Sequence, residues 1–142
     1  MARFVVKNEA EMIELGEKIA GVLGAPRTIE LIGDVGAGKT TFVKGLAKGL
    51  GVVEDVTSPS FVVSKRYVGE TGVVLVHYDF YRLEDAGVMV DELMEAASDE
   101  RAVVVVEWAE AVAGVLSEER VRIVIRYGSE EMRVVEVEGV EL

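Results

Sequence analysis

The chain has 142 residues, and 26 acidic against 15 basic residues give it a formal charge of −11. It has no cysteine and a single histidine, which excludes disulfides, zinc–thiolate sites, thiol catalysis and a histidine metal cluster. Any metal would therefore be held by oxygen ligands, which favours magnesium. The acidic excess argues against a chain that grips RNA by its phosphates, although the charge could equally serve only solubility.

The length predicts one domain over residues 1–142. No apolar run approaches the roughly 20 residues that a membrane span needs. The N-terminal stretch MARFVVKNEAEM carries glutamates where a secretory leader would be apolar. We therefore expect a cytoplasmic protein with no membrane segment.

The first predicted elements are a short strand over Arg3–Lys7 and a helix that begins after Asn8. Asn8 and Glu11 stand at the spacing of a capping box, in which each side chain satisfies a backbone donor at the start of the helix. Gly24 and the residues after it end the helix. Its apolar residues recur at helical spacing and are predicted to face the core: Met12, Leu15, Ile19, Val22 and Leu23.

The strand predicted over Thr28–Ile32 runs directly into GDVGAGKTTF, Gly33–Phe42, and the TTFVKGLAKGL stretch has helical periodicity. A glycine, four residues, then Gly-Lys-Thr between a strand and a helix is the phosphate-loop (P-loop) pattern in its required context. The alternative is a glycine-rich turn that only joins strand to helix. The presence of both Lys39 and Thr40 argues against that alternative.

Each residue type of this loop suits phosphate chemistry. Gly33, Gly36 and Gly38 permit backbone angles and close approaches that a side chain would block, so that successive N–H groups can turn toward phosphate oxygens. Lys39 adds a point charge near the terminal phosphates. Thr40 offers a hydroxyl to magnesium, and the helix that begins there directs its positive dipole end at the anion.

The segment TSPSF, Thr57–Phe61, allows two interpretations. It is either a simple turn initiated at Pro59 or a switch segment whose hydroxyls sense the terminal phosphate. After it, Phe61–Val68 and Val73–Tyr78, joined by GETG, predict an antiparallel hairpin.

Two acids stand at the ends of valine-rich strands typical of a sheet covered on both faces. Asp79 ends the strand that begins at Val73, and Glu107 ends the run AVVVVE. A P-loop needs an acid at a neighbouring strand end to position its metal or water. Either acid alone could be a solvated strand terminus, but their joint presence predicts that at least one holds the metal or a water molecule. His77, near Asp79, is more typical of a hydrogen-bonded structural residue than of an acid or base.

The rest of the chain predicts scaffold. A helix is expected over Leu83–Ala97, and a second hairpin pairs VRIVIRY with MRVVEVE across GSEE. The alternation of the first of these strands predicts that Val121, Ile123, Ile125 and Tyr127 point inward. The predicted fold is α/β, a three-layer sandwich of the P-loop nucleoside triphosphatase type, with parallel strands around the loop and antiparallel strands at the edges of a mixed sheet.

The motifs GDVGAGKTTF, SPSF, HYDFYRL and VVEWAE, in this order and at these separations, resemble the TsaE family. These are small P-loop ATPases needed for the threonylcarbamoyl modification of adenosine 37 in tRNAs that read codons starting with A. The resemblance implies ATP and Mg²⁺ as cofactors and transferase subunits of the TsaB and TsaD type as partners, with tRNA reached only through that complex.

Site roles follow from the same resemblance. Thr40 and Glu107 would hold magnesium, Asp79 would orient or activate the attacking water, and Lys39 would act on the terminal phosphate. Ser60 stands where the family usually has threonine, and Ala109 replaces a common proline. The implied nucleotide contacts are Gly33, Asp34, Val35, Gly36, Ala37, Gly38, Lys39, Thr40, Thr41, Ser60, Trp108 and, at the start of the first helix, Glu9.

Other functions and roles stay open at this point. A small-molecule kinase is the alternative function, but no arginine-rich insertion that could form a lid follows the loop. A GTPase is a third, yet the chain has no Asn-Lys-x-Asp sequence for guanine. Arg82 could pair with a carboxylate, contact phosphate or meet a partner protein, and Tyr81 has no assigned role.

Overall fold

The computed structural model describes residues 1–34, 36–57, 64–80, 87–129 and 132–142. In the part of the chain that it describes, seven strands form one sheet in the order β1-β7-β6-β2-β5-β4-β3. The elements are β1 Ala2–Val6, α1 Glu9–Leu23, β2 Arg27–Ile32, α2 Lys39–Gly49, β3 Ser64–Val68, β4 Val74–Asp79, α3 Gly87–Ser98, β5 Ala102–Glu107, a 3₁₀ helix Ala109–Val115, β6 Val121–Tyr127 and β7 Arg133–Glu138.

The sheet is mixed, as predicted. Strands β6, β2, β5 and β4 are parallel neighbours at its centre. Both predicted hairpins, β3–β4 and β6–β7, pair antiparallel, and β1 adds a further antiparallel strand beside β7. The carboxyl ends of the four parallel strands therefore meet at one edge of the sheet, where the glycine loop leaves β2.

Two cores sandwich the sheet. One core joins α1 and α2 to alternate residues of the central strands, including Leu75, Val103 and Val105. The other joins α3 and the 3₁₀ helix to the opposite faces of β4 and β5. Strands β4 and β5 are buried along their whole length because helices cover both of their faces. These layers match the predicted three-layer sandwich.

The start of α1 forms the predicted reciprocal cap. The Glu11 amide donates to Asn8 Oδ1 at 2.9 Å, and the Glu11 carboxylate accepts from the Lys7 amide at 3.1 Å. The return contact is made one residue earlier than in the standard capping box. The cap fixes where α1 begins, and this position matters because Glu9 and Met12 line a pocket beside the loop.

Helices α1 and α2 touch through glycines. A Cβ atom at Gly45 would lie 2.2 Å from the Ile13 carbonyl oxygen, and one at Gly16 would lie 2.6 Å from the Phe42 carbonyl oxygen. Only residues without a side chain permit backbones to approach this closely. The glycines therefore set the distance between the helix that carries the loop lysine and the helix that lines the neighbouring pocket.

Two predicted core positions are wrong. Val22 is 47% exposed. Gly16 and Ala20 are buried against α2, so the buried face of α1 is centred on these residues and Val22 lies outside it. Tyr127 is 52% exposed, although Val121, Ile123 and Ile125 of the same strand are buried. It is the last residue of β6, and its ring packs against the Arg133 guanidinium at 4.3 Å instead of entering the core.

The predicted boundaries need small adjustments elsewhere. Strand β1 begins and ends one residue earlier than expected, and α2 begins at Lys39 instead of Thr40. Part of the predicted Leu83–Ala97 helix and part of the GSEE turn lie outside the described residues. In the described residues, none of the helices has the length and apolar character needed to cross a membrane.

Candidate functional site

The glycine loop folds as a phosphate-binding turn would. Gly36 and Gly38 have φ of 82° and 108°, angles that residues with side chains rarely adopt. The Ala37 amide donates to the Asp34 carbonyl at 3.0 Å, which closes the turn. The first helical bond of α2 runs from the Phe42 amide to the Gly38 carbonyl at 2.9 Å. The amides of residues 39–41 precede that bond, so they belong to the donors that a helix N-terminus offers to an anion.

Lys39 lies at the centre of the site and is only 8% exposed. Its Nζ donates to the Gly33 carbonyl at 2.5 Å and lies 3.6 Å from Glu107 Oε1. It also lies 4.4 Å from the centroid of the Trp108 ring, within the range of a cation–π contact. The lysine thus links the glycine loop to the end of β5.

The two predicted acids come together. Asp79 and Glu107 are direct neighbours at the ends of the parallel strands β4 and β5 and are 9% and 3% exposed. The Phe80 amide donates to the Glu107 carbonyl at 3.1 Å and continues the pairing beyond β4. In a strand, side chains alternate in direction. Both acids therefore point to the face of the sheet that carries α1 and α2, which is the face of Lys39.

His77 joins this group from within β4. It is fully buried, and its Nε2 forms a hydrogen bond with Glu107 Oε2. The hydrogen-bonded role predicted for it is confirmed, but the sequence analysis did not identify its partner. His77 and Glu107 occupy inward positions of the same parity on two adjacent strands, but the sequence does not give the register that brings them together.

Trp108 follows Glu107 in a left-handed conformation, with φ of 56° and ψ of 53°. Within the described residues it is the only non-glycine residue with positive φ. Such a conformation costs roughly 1–2 kcal/mol and is found where the surrounding structure holds it in place. It lies at the sharp turn from β5 into the 3₁₀ helix, where the Trp108 ring meets Lys39.

A pocket of about 400 Å³ adjoins the glycine loop. The loop glycines Gly36 and Gly38 line it together with Glu9 at the start of α1 and Arg133 of β7. Glu9 was implied only by resemblance, and the structure brings it to the loop. The remaining lining residues are Val6, Lys7, Asn8, Met12, Ala37 and Thr41.

Two residues near this pocket were missed by the sequence analysis. A Cβ atom at Gly36 would lie 3.1 Å from the Tyr127 hydroxyl, so this side chain approaches the loop directly. Arg133 stacks on the Tyr127 ring and lines the pocket. Both lie at the turn end of the β6–β7 hairpin, and no sequence pattern indicates that this end reaches the loop.

Some predicted residues lie outside the described part of the chain: Val35, Ser60, Tyr81 and Arg82. Of the TSPSF segment only Thr57 is described. Its amide donates a hydrogen bond to the hydroxyl of Tyr67 in β3 at 3.4 Å, and its own hydroxyl accepts from Lys65. The switch interpretation of this segment therefore stays a prediction.

The donor chemistry of the site fits magnesium. Thr40, Asp79 and Glu107 offer only oxygen atoms, which are the ligands that this hard cation prefers. Among the described residues no group of three or more His, Cys, Asp or Glu side chains is arranged to hold a metal ion. Magnesium in nucleotide sites usually takes one or two carboxylates together with phosphate oxygens and waters, so a smaller protein donor set is sufficient.

A strand, a glycine loop and a helix with a lysine at its first turn, facing two acids at adjacent strand ends, define a domain of the P-loop class. The model of the family described as "Threonylcarbamoyl adenosine biosynthesis protein TsaE" matches residues 6–135. The chain therefore belongs to the TsaE family, and the resemblance of the four motifs is confirmed.

Individual relatives agree with this assignment. The "tRNA threonylcarbamoyladenosine biosynthesis protein TsaE" of Streptomyces coelicolor is 42% identical over 114 residues, which cover 79% of this chain and 76% of that protein. The protein of the same name from a Nostoc species is 33% identical over 140 residues, which cover 96% of this chain and 85% of the relative. The crystal structure of Bacillus subtilis YdiB is similar with a TM-score of 0.76 at 31% identity, covering 94% of this chain and 82% of YdiB.

Proposed function

We propose that this chain is a magnesium-dependent ATPase that serves the threonylcarbamoyl modification of adenosine 37 in tRNAs reading codons that start with A. Its partners in this proposal are transferase subunits of the TsaB and TsaD type. Membership of the TsaE family supports the pathway. The observation that carries the ATPase activity is the convergence of Lys39 and the two acids Asp79 and Glu107 beside the glycine loop.

In this proposal the loop binds the phosphates. The amides at the start of α2 and the Lys39 ammonium supply the positive groups, and the left-handed glycines keep side chains away from the anion. Lys39 is already close to a carbonyl and a carboxylate, which compensate its charge in a nearly buried position. A phosphate oxygen would offer it a charge-assisted contact of roughly 1.5–3 kcal/mol.

Thr40 and Glu107 would hold the metal, and Asp79 would orient or activate the attacking water. Bound magnesium would neutralise charge on the phosphate oxygens as the terminal bond breaks. Asp79 suits a role with water because it is directly beside Glu107 in the sheet yet belongs to the neighbouring strand, so that the two carboxylates can serve different atoms. Roles of this kind depend on carboxylates that are held in place by a rigid sheet.

The pocket between the loop and the start of α1 is the proposed position of the adenosine part of ATP. It adjoins the loop directly through Gly36 and Gly38, and Glu9 and Arg133 add charged side chains to its lining. This placement extends the implied nucleotide contact at Glu9 to the pocket as a whole.

A partner is required in this proposal for fast hydrolysis. P-loop enzymes often await a completing group or a conformational trigger from another protein. The formal charge of −11 opposes direct binding of a polyanion such as tRNA, while it suits a basic or mixed protein face. The chain therefore reaches tRNA only through the transferase complex.

The test is phosphate release from ATP by the chain alone, with tRNA alone, and with the transferase subunits, each at low and high salt. We expect slow release alone, no gain with tRNA, and acceleration by the subunits that declines as salt screens the contact. Full-speed hydrolysis in isolation, or tight direct binding of tRNA, would contradict the proposal. Transfer of the terminal phosphate to a small acceptor instead of water would favour the kinase alternative.

A further inference from the structure

His77 has a hydrogen-bonding arrangement that determines where its proton lies. It is fully buried, its Nε2 contacts Glu107 Oε2, and its Nδ1 has no hydrogen-bond partner within the described residues. An ionised carboxylate can only accept hydrogen bonds, whereas a neutral imidazole has one donor and one acceptor nitrogen. The arrangement therefore places the proton on Nε2, which donates to Glu107.

The contacts of Glu107 are divided between its two carboxylate oxygens. Oε2 is bonded to His77, and Oε1 lies 3.6 Å from Lys39 Nζ. The Glu107 backbone is held separately, through the bond from the Phe80 amide to its carbonyl. The backbone bond does not fix the side-chain torsions of Glu107. These torsions are determined by the contacts of its two oxygens with His77 and Lys39.

We propose that His77 is a positioning residue, whose Nε2–H fixes Oε2 of Glu107 and so directs Oε1 toward Lys39 and the glycine loop. The inference rests on the proposed function, in which Glu107 holds magnesium. A residue that orients a metal ligand in this way typically changes metal affinity or activity by about tenfold to a hundredfold when it is replaced. The buried position within β4 suits this role, because a rigid strand aims the imidazole with little freedom.

Two substitutions of His77 by amide residues distinguish a positioning role from one in which the side chain only fills space. The amide nitrogen of His77→Gln lies near the place of Nε2 and can still donate to Glu107. The amide nitrogen of His77→Asn reaches only about as far as Nδ1, so it leaves Oε2 without its donor. The quantity compared is the magnesium concentration that gives half of the maximal change in Trp108 fluorescence or phosphate release. We expect this concentration to stay within about threefold of the original chain in the glutamine variant and to rise at least tenfold in the asparagine variant.

The first measurement needs neither ATP nor activity. Because the chain has a single histidine, ¹⁵N NMR of the imidazole reports on His77 without ambiguity. We expect the proton of the Glu107 hydrogen bond on Nε2 and an unprotonated Nδ1, with the Nε2 signal shifted in Glu107→Gln. A proton on Nδ1, or no response to the Glu107 substitution, would overturn the inference even if the chain proves to be an ATPase.

The second measurement is a magnesium titration in the presence of ATP, followed by Trp108 fluorescence and by phosphate release, for the original chain and both His77 variants. ATP affinity in the absence of magnesium should be alike in all three. Equal magnesium responses of the asparagine and glutamine variants would overturn the inference, as would a matching loss of magnesium-free ATP affinity, since that would show general structural damage. Lack of ATP hydrolysis by the original chain would contradict the proposed function instead, and the NMR result would still test the placement of the His77 proton.

Discussion

The substitution Gly45→Ala tests whether the close contact of α1 and α2 shapes the candidate site. The added Cβ would lie 2.2 Å from the Ile13 carbonyl oxygen and 2.7 Å from the Ile13 Cα, both of them backbone atoms that cannot rotate away. Carbon atoms in contact prefer about 3.5–4.0 Å, so the helices must separate locally by about 1 Å. Gly45→Ala therefore inserts a methyl group into a contact that has no room for it.

The expected cost follows from these distances. Overpacking typically costs about 1–3 kcal/mol, and a contact with backbone lies at the upper end of that range. The better helix propensity of alanine returns about 0.5–1 kcal/mol. We expect a net loss of about 2 kcal/mol in the free energy of unfolding, and a fall in Tm of roughly 6–8 °C for a chain of this size.

The control is Gly21→Ala, in the same pair of helices. A Cβ at Gly21 would meet nothing within 4 Å, so only the propensity gain remains and the variant should be slightly more stable than the original chain. Urea unfolding and thermal melting measure both variants. ATP affinity should fall in Gly45→Ala alone, because α1 lines the pocket beside the loop while α2 carries Lys39. Unchanged stability of Gly45→Ala, or equal effects of the two substitutions, would show that the contact at Gly45 does not set the distance between α1 and α2.

Three further predictions concern the acids, the tryptophan and a buried tyrosine. Glu107→Gln should keep the fold but weaken magnesium-dependent hydrolysis, since the amide keeps the shape and loses the anion. Normal hydrolysis by this variant, together with a loss in Asp79→Asn, would show that the metal-holding and water-orienting roles are assigned to the wrong acids. Fluorescence of Trp108, the only tryptophan, should change when magnesium and ATP are added. The reason is that Lys39 Nζ lies 4.4 Å from the centroid of its ring and would turn away from it to the phosphates. An unchanged emission spectrum would contradict that movement. Burial, followed by the charge of Glu92, raises the pKa of Tyr78 from 10.0 to about 12. The unfolded state therefore ionises first, and the free energy of unfolding should fall as pH rises through that window, less steeply in Tyr78→Phe; equal slopes in urea unfolding series would count against it.

Much of the fold could be predicted because the signals are local. The helical spacing of α1, the strand that precedes the loop and the two hairpins with their turns each depend on neighbouring residues. The mixed sheet followed from those hairpins, since a tight turn joins antiparallel strands whereas the strands around the loop are parallel. The proximity of Asp79 and Glu107 could be predicted because both residues end apolar strands of the same sheet.

The errors and omissions involve tertiary contacts. Val22 fits the helical stripe of α1, but only the packing of Gly16 and Ala20 on α2 shows where the stripe is centred. Tyr127 fits the alternation of β6, yet the strand ends there and the ring turns to Arg133. Such contacts join residues that are distant in sequence or lie at element ends, where periodicity no longer constrains direction.

The contacts around Glu107 are also tertiary contacts that the sequence does not indicate. The glutamate was selected as a strand-end acid, but its bond with His77 and its approach to Lys39 depend on the register of β4 against β5 and on the path of the loop. No pattern in the sequence gives that register. The chemistry of the site could therefore be predicted from residue types, while the division of the Glu107 oxygens required the structure.

Whether the loop binds ATP for tRNA modification is tested by reconstituting threonylcarbamoyladenosine formation on tRNA with transferase subunits of the TsaB and TsaD type and following it over many turnovers. The chain is supplied as the original sequence, as Lys39→Ala, and as Lys44→Ala, which removes an exposed lysine from the same helix. Loss of a charge-assisted phosphate contact of about 1.5–3 kcal/mol corresponds to roughly a 10- to 150-fold loss of function.

We expect sustained modification with the original chain and Lys44→Ala when magnesium and ATP are present, and a fall to at most a tenth of that rate with Lys39→Ala. Circular dichroism should show all three chains folded. Equal modification by folded Lys39→Ala, or modification that does not depend on the chain, would contradict the claim that this loop binds ATP in the service of tRNA modification.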